Sequence, residues 1–272
     1  MVDYELVDTG RGARLERFGA HVVVRTHPAA MGEPRAPDRW QEADLRYDRD
    51  RGWSGPGLDE ARSGWRARLA DLTFEARPTD AGQVGLFPEQ AGMLPWLRKR
   101  VSDTPTASVL NLFGYTGLVT LDMARAGAAV AHVDAARPTV AWARRNAALN
   151  DLEDRPIRWL VDDAPAFVAR EIRRERRYDG VVLDPPTYGH GTSGKAWRLE
   201  RDLEPLLADI RRLLTPDGFV LLTAHAEGID PDDLGLRLAT VVDDVEVGRL
   251  ELTATSGTTL ELGAYARGSG AS

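Results

Sequence analysis

The chain reads as an α/β protein: a parallel sheet with helices on both faces, an antiparallel edge, and a small β-rich region ahead of it. Three observations predict this. From residue 88 onward, apolar strand-like runs alternate with helix-like ones through five β–α units. The last two strand-like runs, 245–252 and 258–265, alternate as antiparallel neighbours do. Residues 1–80 lack helical periodicity and carry short β-type runs broken by turn residues.

Taken in order, 4–8, 15–18 and 21–26 read as strands, with Thr9, Gly10, Arg11 and Gly12 in the first turn. Three prolines within 28–38 exclude a long regular element there. Runs 72–77 and 83–87 read as a strand pair around residues 79–82. Pro88 opens a helix towards Val101, kinked at Pro95. Strands are then expected at 108–113, 130–134, 157–161, 178–183 and 218–223. Helices are expected at 116–126, 138–150, 165–176, 197–214 and 232–241. The organisation is a β-rich domain over 1–80, an α/β domain over 81–267 and a flexible tail over 268–272.

A chain of 272 residues is long enough to bury roughly 70–75% of its unfolded surface without staples. It has no cysteine, which excludes a disulfide framework, thiolate metal ligands and a catalytic thiol. No apolar run approaches the ~20 residues of a membrane helix. The first residues lack an export signal, so the cytoplasm is the expected location. The net charge of −7 argues against a surface that coats nucleic acid, although a local basic patch can act against it. Lysine occurs only at Lys99 and Lys195.

Ligands of open α/β sheets sit beyond the carboxyl ends of the strands. The first such end reads Asn111, Leu112, Phe113, Gly114, Tyr115, Thr116, Gly117. Its two glycines permit a tight strand-to-helix turn whose amides can face an anionic group. The second ends in Asp134, 17 residues beyond Gly117, where a carboxylate can accept both hydroxyls of a ribose. The third ends in Asp162 and Asp163, either of which could accept from an adenine amine. The fourth ends in Asp184, Pro185, Pro186, Thr187, Tyr188. Consecutive prolines remove amide donors and stiffen the chain, leaving carbonyls able to accept from an amine, and the nearby ring can stack on a base. A nucleoside-bearing ligand lying across the sheet accounts for all four ends together.

In this order of elements the chain resembles the class I S-adenosylmethionine-dependent methyltransferases. Residues Asn111 to Gly117 and Asp184 to Tyr188 are similar to the N-x-F-x-Y-T-G and D-P-P-x-[FY] motifs of the ribosomal RNA large-subunit methyltransferase group. Gly85, Leu86, Phe87, Pro88, Glu89 and Gln90 resemble that group's segment before the first strand. The resemblance implies a Rossmann-like seven-stranded methyltransferase sheet, S-adenosylmethionine as cofactor, no metal and no membrane. It assigns the cofactor's methionine end to Gly114, Tyr115, Thr116 and Gly117, flanked by Asn111 and Phe113. It assigns the ribose to Asp134, the adenine to Asp163 or Asp162, and the pocket border to Phe87 and Gln90. Asp184 lies between cofactor and acceptor, with Pro185 and Tyr188 completing the catalytic set.

Two departures narrow the chemistry. Cytosine-5 enzymes of this group need a cysteine nucleophile, and Thr223, Ala224, His225 and Ala226 stand where it is expected. Amine methyltransferases place the aromatic fourth in their D-P-P motif, whereas here Thr187 is fourth and Tyr188 fifth. That form resembles the group's guanine-N7 enzyme, whose acceptor has a lone pair and needs no base. The leading expectation is methylation of RNA, ribosomal RNA foremost, at a base nitrogen such as guanine N7, without a covalent intermediate. The alternatives are a small-molecule or protein methyltransferase, a nicotinamide-dependent oxidoreductase and a non-enzymatic RNA-binding module.

Other features fit two readings each. His190 and His225 are proton acceptors or hydrogen-bonded loop residues. The glycine-rich stretch 189–195 is a substrate-covering loop, since Ala196 follows where a phosphate loop needs Ser or Thr. Arg98, Lys99, Arg100 and the five arginines within 170–177 are RNA contacts or self-paired surface. Trp40, Trp53 and Trp65 stack on bases or pack a small domain.

Overall fold

The structure, a computed structural model, describes residues 4–190, 196–225 and 228–270. The chain divides into two compact units, one of residues 1–91 with 251–262 and one of residues 92–250 with 263–272.

The first unit is built on a five-stranded sheet of β1 (Tyr4–Gly10), β2 (Ala13–Phe18), β3 (His21–Thr26), β4 (Leu45–Asp48) and β5 (Gly52–Ser54), in that order. A short helix α1 (Leu58–Ala61) precedes a separate hairpin of β6 (Trp65–Leu69) and β7 (Leu72–Ala76). The strand expected at 72–77 thus exists, but its partner is β6 and not 83–87, which form no strand. Segment 83–87 is tied back by Arg77 N–H to the Val84 carbonyl, by Thr79 N–H and hydroxyl to the Gln83 carbonyl, and by Arg25 to the Gln83 side chain. All three indoles of this unit donate within it: Trp40 to Asp8, Trp53 to the Thr79 carbonyl and Trp65 to the Phe18 carbonyl. That favours packing over base stacking. The unit also buries charge. The Glu16 carboxylate accepts from Arg25 at 2.7 and 2.8 Å and from the Tyr4 hydroxyl at 3.2 Å.

The second unit carries a seven-stranded sheet. Its strands are β8 (Ser108–Leu112), β9 (Ala129–Asp134), β10 (Ile157–Val161), β11 (Tyr178–Leu183), β14 (Leu214–Ala224), β15 (Glu246–Thr253) and β16 (Thr259–Ser269). Their order is β10-β9-β8-β11-β14-β16-β15, with β16 antiparallel to β14 and the first five mutually parallel. The flanking helices are α2 (Leu94–Ser102), α3 (Leu118–Arg125), α4 (Arg137–Ala148), α5 (Ala164–Arg173), α6 (Leu199–Arg211) and α7 (Pro231–Leu238). The expected α/β, Rossmann-like seven-stranded sheet with a smaller N-terminal β-rich part is what the chain forms. Near-continuous apolar runs in β8, β11 and β14 follow from burial on both faces. Leu110, Leu183, Val220 and Leu222 pack with Phe167, Leu203 and Leu207 into one core. No helix among the described residues is long and apolar enough to cross a membrane.

Two local expectations are corrected. Pro88 starts a 3-10 turn over Pro88–Met93, and Pro95 sits in the first turn of α2. There its missing N–H is one the helix leaves unpaired anyway, so it starts the helix and does not kink it. The helix expected from 197 begins at Leu199, because 196–198 pair as β13 (Ala196–Arg198) with β12 (Tyr188–His190). Asp202 then accepts the Arg198 N–H at 2.8 Å and closes the entry to α6. Of the expected tail, Gly268 and Ser269 end β16, while 271–272 lie outside the described residues.

Candidate functional site

Parallel register brings the carboxyl ends of β8, β9, β10 and β11 side by side, pairing Leu112 with Val133, Leu112 with Leu183, and Val161 with Asp134. The turn after β8 is tight. Phe113, Tyr115 and Gly117 all have left-handed φ, at 57°, 47° and 97°. Two of these are not glycine, a conformation worth about 1–3 kcal/mol of strain each and kept only where surrounding contacts fix it. Those contacts are present. Gly114 N–H donates to the Val133 carbonyl at 3.0 Å, Gly117 N–H to the Gly114 carbonyl at 3.0 Å, and Tyr115 N–H to Asp134 Oδ2 at 3.0 Å. Three of the turn's amides are therefore spent, two on the end of β9 and one within the turn, while the first turn of α3 leaves amides without intrahelical partners. Gly114 is required by close approach: a Cβ there would stand 2.6 Å from the His132 ring.

Asp134 is fixed through both oxygens, Oδ1 accepting the Ala136 N–H at 2.9 Å while Oδ2 accepts Tyr115. Burial raises its pKa above the ordinary 3.8, more than those two amides lower it. Each oxygen keeps a second lone pair. Asp163 caps α5, accepting the Ala166 N–H at 3.0 Å, while Asp162 is ion-paired to Arg170.

At the end of β11, Asp184 Oδ1 accepts the Thr223 hydroxyl at 2.6 Å and lies 3.3 Å from His225 Nε2. The Pro186 carbonyl accepts the Trp197 indole N–H at 2.7 Å, so the expectation that it awaits a substrate amine is revised. The Trp197 ring also packs on Phe113, 5.1 Å between centroids, and so ties the two turns together. Tyr188 is 73% exposed. With Thr187, Arg198, Gly228 and Asp230 it lines a cleft of about 370 Å³.

Asn111, Phe113, Gly114, Tyr115, Thr116, Gly117, Asp134, Asp162, Asp163, Asp184, Pro185 and Tyr188 thus all lie at the strand ends of the second unit. Phe87 and Gln90 fall in the first unit, where Gln90 N–H donates to the Phe87 carbonyl. Residues 191–195 of the glycine-rich stretch, Lys195 included, lie outside the described residues. Arg98 pairs with Asp122, Lys99 with Asp103 and Arg174 with Glu171, so much of the basic runs is self-paired. Sequence reasoning missed Thr223, Thr120 and His132. The signal available was inward alternation on a strand for the first and last, and a polar residue on the buried face of α3 for the second.

The group that the strand ends suggest, an adenosyl sulfonium, fits these residues. A glycine turn leads into a helix N-terminus, and a doubly anchored carboxylate stands on the next strand, the pairing that a nucleoside with a charged amino-acid end requires. Comparison with known proteins agrees. The family model for S-adenosylmethionine-dependent methyltransferases matches residues 59–252. A ribosomal RNA large subunit methyltransferase K/L of Magnetococcus marinus is 31% identical over 170 residues, 61% of this chain and 23% of that protein. Its counterpart in Methylococcus capsulatus is 33% identical over 136 residues, 49% of this chain and 18% of that protein. The chain spans about a quarter or less of the length of these curated relatives. The crystal structure of a SAM-dependent methyltransferase from Agrobacterium tumefaciens superposes with a TM-score of 0.93 at 35% identity, covering 99% of this chain and 91% of that one. A T. thermophilus 16S rRNA N2 G1207 methyltransferase, in complex with AdoMet and guanosine, shares the fold alone, with a TM-score of 0.52 at 19% identity over 76% of this chain and 50% of that one. With most of the chain matched by the family model, and nearly all of it by a solved relative, the protein belongs to the S-adenosylmethionine-dependent methyltransferases and uses S-adenosylmethionine as its cofactor.

Proposed function

We propose that the protein methylates a base nitrogen of RNA, ribosomal RNA foremost and guanine N7 in particular, without a covalent intermediate. The observation that carries this reading is Tyr188: a largely exposed ring, one residue beyond the Asp184-Pro185-Pro186 turn, lining a cleft that also holds Arg198. A flat base stacks on such a ring, and a guanidinium suits the phosphate beside it. The similarity to ribosomal RNA methyltransferases over 170 and 136 residues supports it. So does the absence of cysteine, which leaves no nucleophile for cytosine-5 chemistry.

When bound, the cofactor supplies an electrophilic methyl group on a sulfonium. The chain's own residues hold and align. The turn from Phe113 to Gly117 and the N-terminus of α3 receive the methionine end, with Asn111 serving the turn from beneath. Asp134 accepts from the ribose. Asp163, whose neighbour Asp162 is occupied by Arg170, faces the adenine edge. Asp184, held by Thr223, places a negative charge beside an acceptor that becomes cationic as it is methylated. Pro185 stiffens the turn and Tyr188 orients the base. Alignment and exclusion of water reduce the barrier by on the order of several kcal/mol. No residue need remove a proton from a ring nitrogen that already carries a lone pair.

A second reading, a small-molecule or protein acceptor, is favoured by the net charge of −7 and the self-paired arginines. One experiment separates the two. Ribosomal RNA from cells lacking the gene is incubated with the protein and isotopically labelled S-adenosylmethionine, then digested and resolved by nucleoside mass spectrometry. Label co-eluting with N7-methylguanosine is expected. Label in protein or small metabolites, with none in RNA, overturns the proposal.

A further inference from the structure

We propose that His132 is a positioning residue for cofactor binding, its buried ring forming the floor on which the strained turn from Phe113 to Gly117 rests. The proposal rests on the reading that this turn receives the cofactor.

The sheet register makes the arrangement. On β9, His132 stands opposite Asn111 of β8 and Trp159 of β10, so the three side chains form a row on one face. Thr120 of α3 packs onto that row. Asn111 Nδ2 donates to Thr120 Oγ1 at 2.8 Å, and Thr120 Oγ1 lies 2.8 Å from His132 Nδ1. All three are buried. A hydroxyl has one proton to give. It also has two acceptor lone pairs, so with Asn111 donating to it Thr120 either donates to Nδ1 or accepts from it, and the contact holds the ring in either tautomer. Nε2 is buried without a hydrogen-bond partner, next to the Trp159 ring at 4.9 Å between centroids. Burial pushes the pKa down to about 3, so the ring is neutral and places no cation under a site built for a sulfonium.

The ring also occupies space that decides the backbone above it. An ideal Cβ on Gly114 would meet His132 Cε1 and Nδ1 at 2.6 Å. The turn has therefore settled onto the imidazole as closely as a residue without a side chain allows. With Gly114 seated there, its neighbours Phe113 and Tyr115 take their left-handed conformations and Tyr115 N–H reaches Asp134. A core histidine that merely filled volume would lower stability when replaced. A floor under the turn changes cofactor affinity, and it couples to residue 114.

The test is a double-substitution cycle read by calorimetric binding of S-adenosylhomocysteine to the apo chain, with thermal midpoints recorded alongside. Gly114→Ala is expected to weaken binding by about thirtyfold and His132→Ala by about tenfold, while Gly114→Ala added to His132→Ala costs no more than about threefold because the clash is gone. His132→Asn keeps an acceptor near the position of Nδ1 and should retain affinity within about threefold, and His132→Phe should lose about tenfold. These two serve if the alanine variants do not fold. Gly114→Ala costing the same factor in both backgrounds overturns the proposal. So does a His132 series that lowers the melting point at unchanged affinity. Asp134→Ala separates the two levels: if it leaves binding intact, the assignment of the cofactor to these strand ends fails, whatever His132 does.

Discussion

The Thr223 hydroxyl donates to Asp184 Oδ1 at 2.6 Å, joining the end of β14 to the end of β11 across neighbouring parallel strands. That oxygen is further approached by His225 Nε2 at 3.3 Å. The Asp184 carboxylate is thus oriented from the neighbouring strand β14.

Thr223→Val keeps the volume of Thr223 and removes its donor. A hydrogen bond to a charged group contributes about 1.5–3 kcal/mol, so methyl transfer in a single turnover should slow by about ten- to a hundredfold. Calorimetric affinity for S-adenosylhomocysteine should stay within about twofold. Asp184→Ala should show the same split more strongly. Equal losses in rate and affinity would place Asp184 in cofactor binding instead.

Asp134 gives a pH dependence. Its folded pKa is raised, chiefly by burial, so the apo chain holds that proton more tightly than the unfolded chain does. Its own contribution to stability is therefore largest below the ordinary 3.8 and declines as pH rises through the raised value. Binding runs the other way. Ribose hydroxyls donate to the carboxylate, so the ligand favours the ionised form. Affinity for S-adenosylhomocysteine should fall on acidification, starting at a higher pH than an ordinary aspartate would impose. Titration calorimetry of Asp134→Asn should show weak binding with no such fall.

Much of this site was legible in the sequence because strand ends are fixed by apolar runs and turn residues. Asn111 to Gly117, Asp134 and Asp184 to Tyr188 stand at the ends of buried apolar strands, while Asp163 follows β10, which is only partly buried. The lateral contacts were not legible. Thr223 with Asp184, and Thr120 with His132, are separated by 39 and 12 residues and depend on register and helix docking, which local pattern does not encode. Pro95 shows a third kind of gap. A proline signals a helix start and a helix kink with the same chemistry, and only the end of the preceding 3-10 turn decides between them.

Arg98 tests whether the basic run on α2 is for RNA or for the fold. Asp122 is fully buried and held by Arg98 at 2.6 and 2.8 Å and by Arg125 at 2.8 Å. Arg98→Met should cost about 1–2 kcal/mol, its partly exposed guanidinium being screened by solvent. Calorimetry should show the melting point lower by a few degrees. RNA affinity and its salt dependence should be unchanged. A shallower salt slope in the variant would make Arg98 a phosphate contact.

His132 also sets how the second unit responds to acid. Burial depresses its pKa from 6.5 to about 3. In the folded chain it stays neutral down to that value, whereas in the unfolded chain it takes up a proton below 6.5. The stability it contributes is fully present above pH 6.5 and is lost progressively as pH falls towards about 3. At a pH 1.5 units below the unfolded value the loss is on the order of 2 kcal/mol. In the first unit His27, depressed to about 4 with burial as the leading cause, acts in the same direction. Chemical unfolding at a series of pH values should therefore show stability declining below neutrality more steeply than carboxylates alone require. His132→Asn, which has no proton to take up, should flatten the curve for the second unit. An unchanged curve in that variant would mean that the imidazole is protonated in the folded chain.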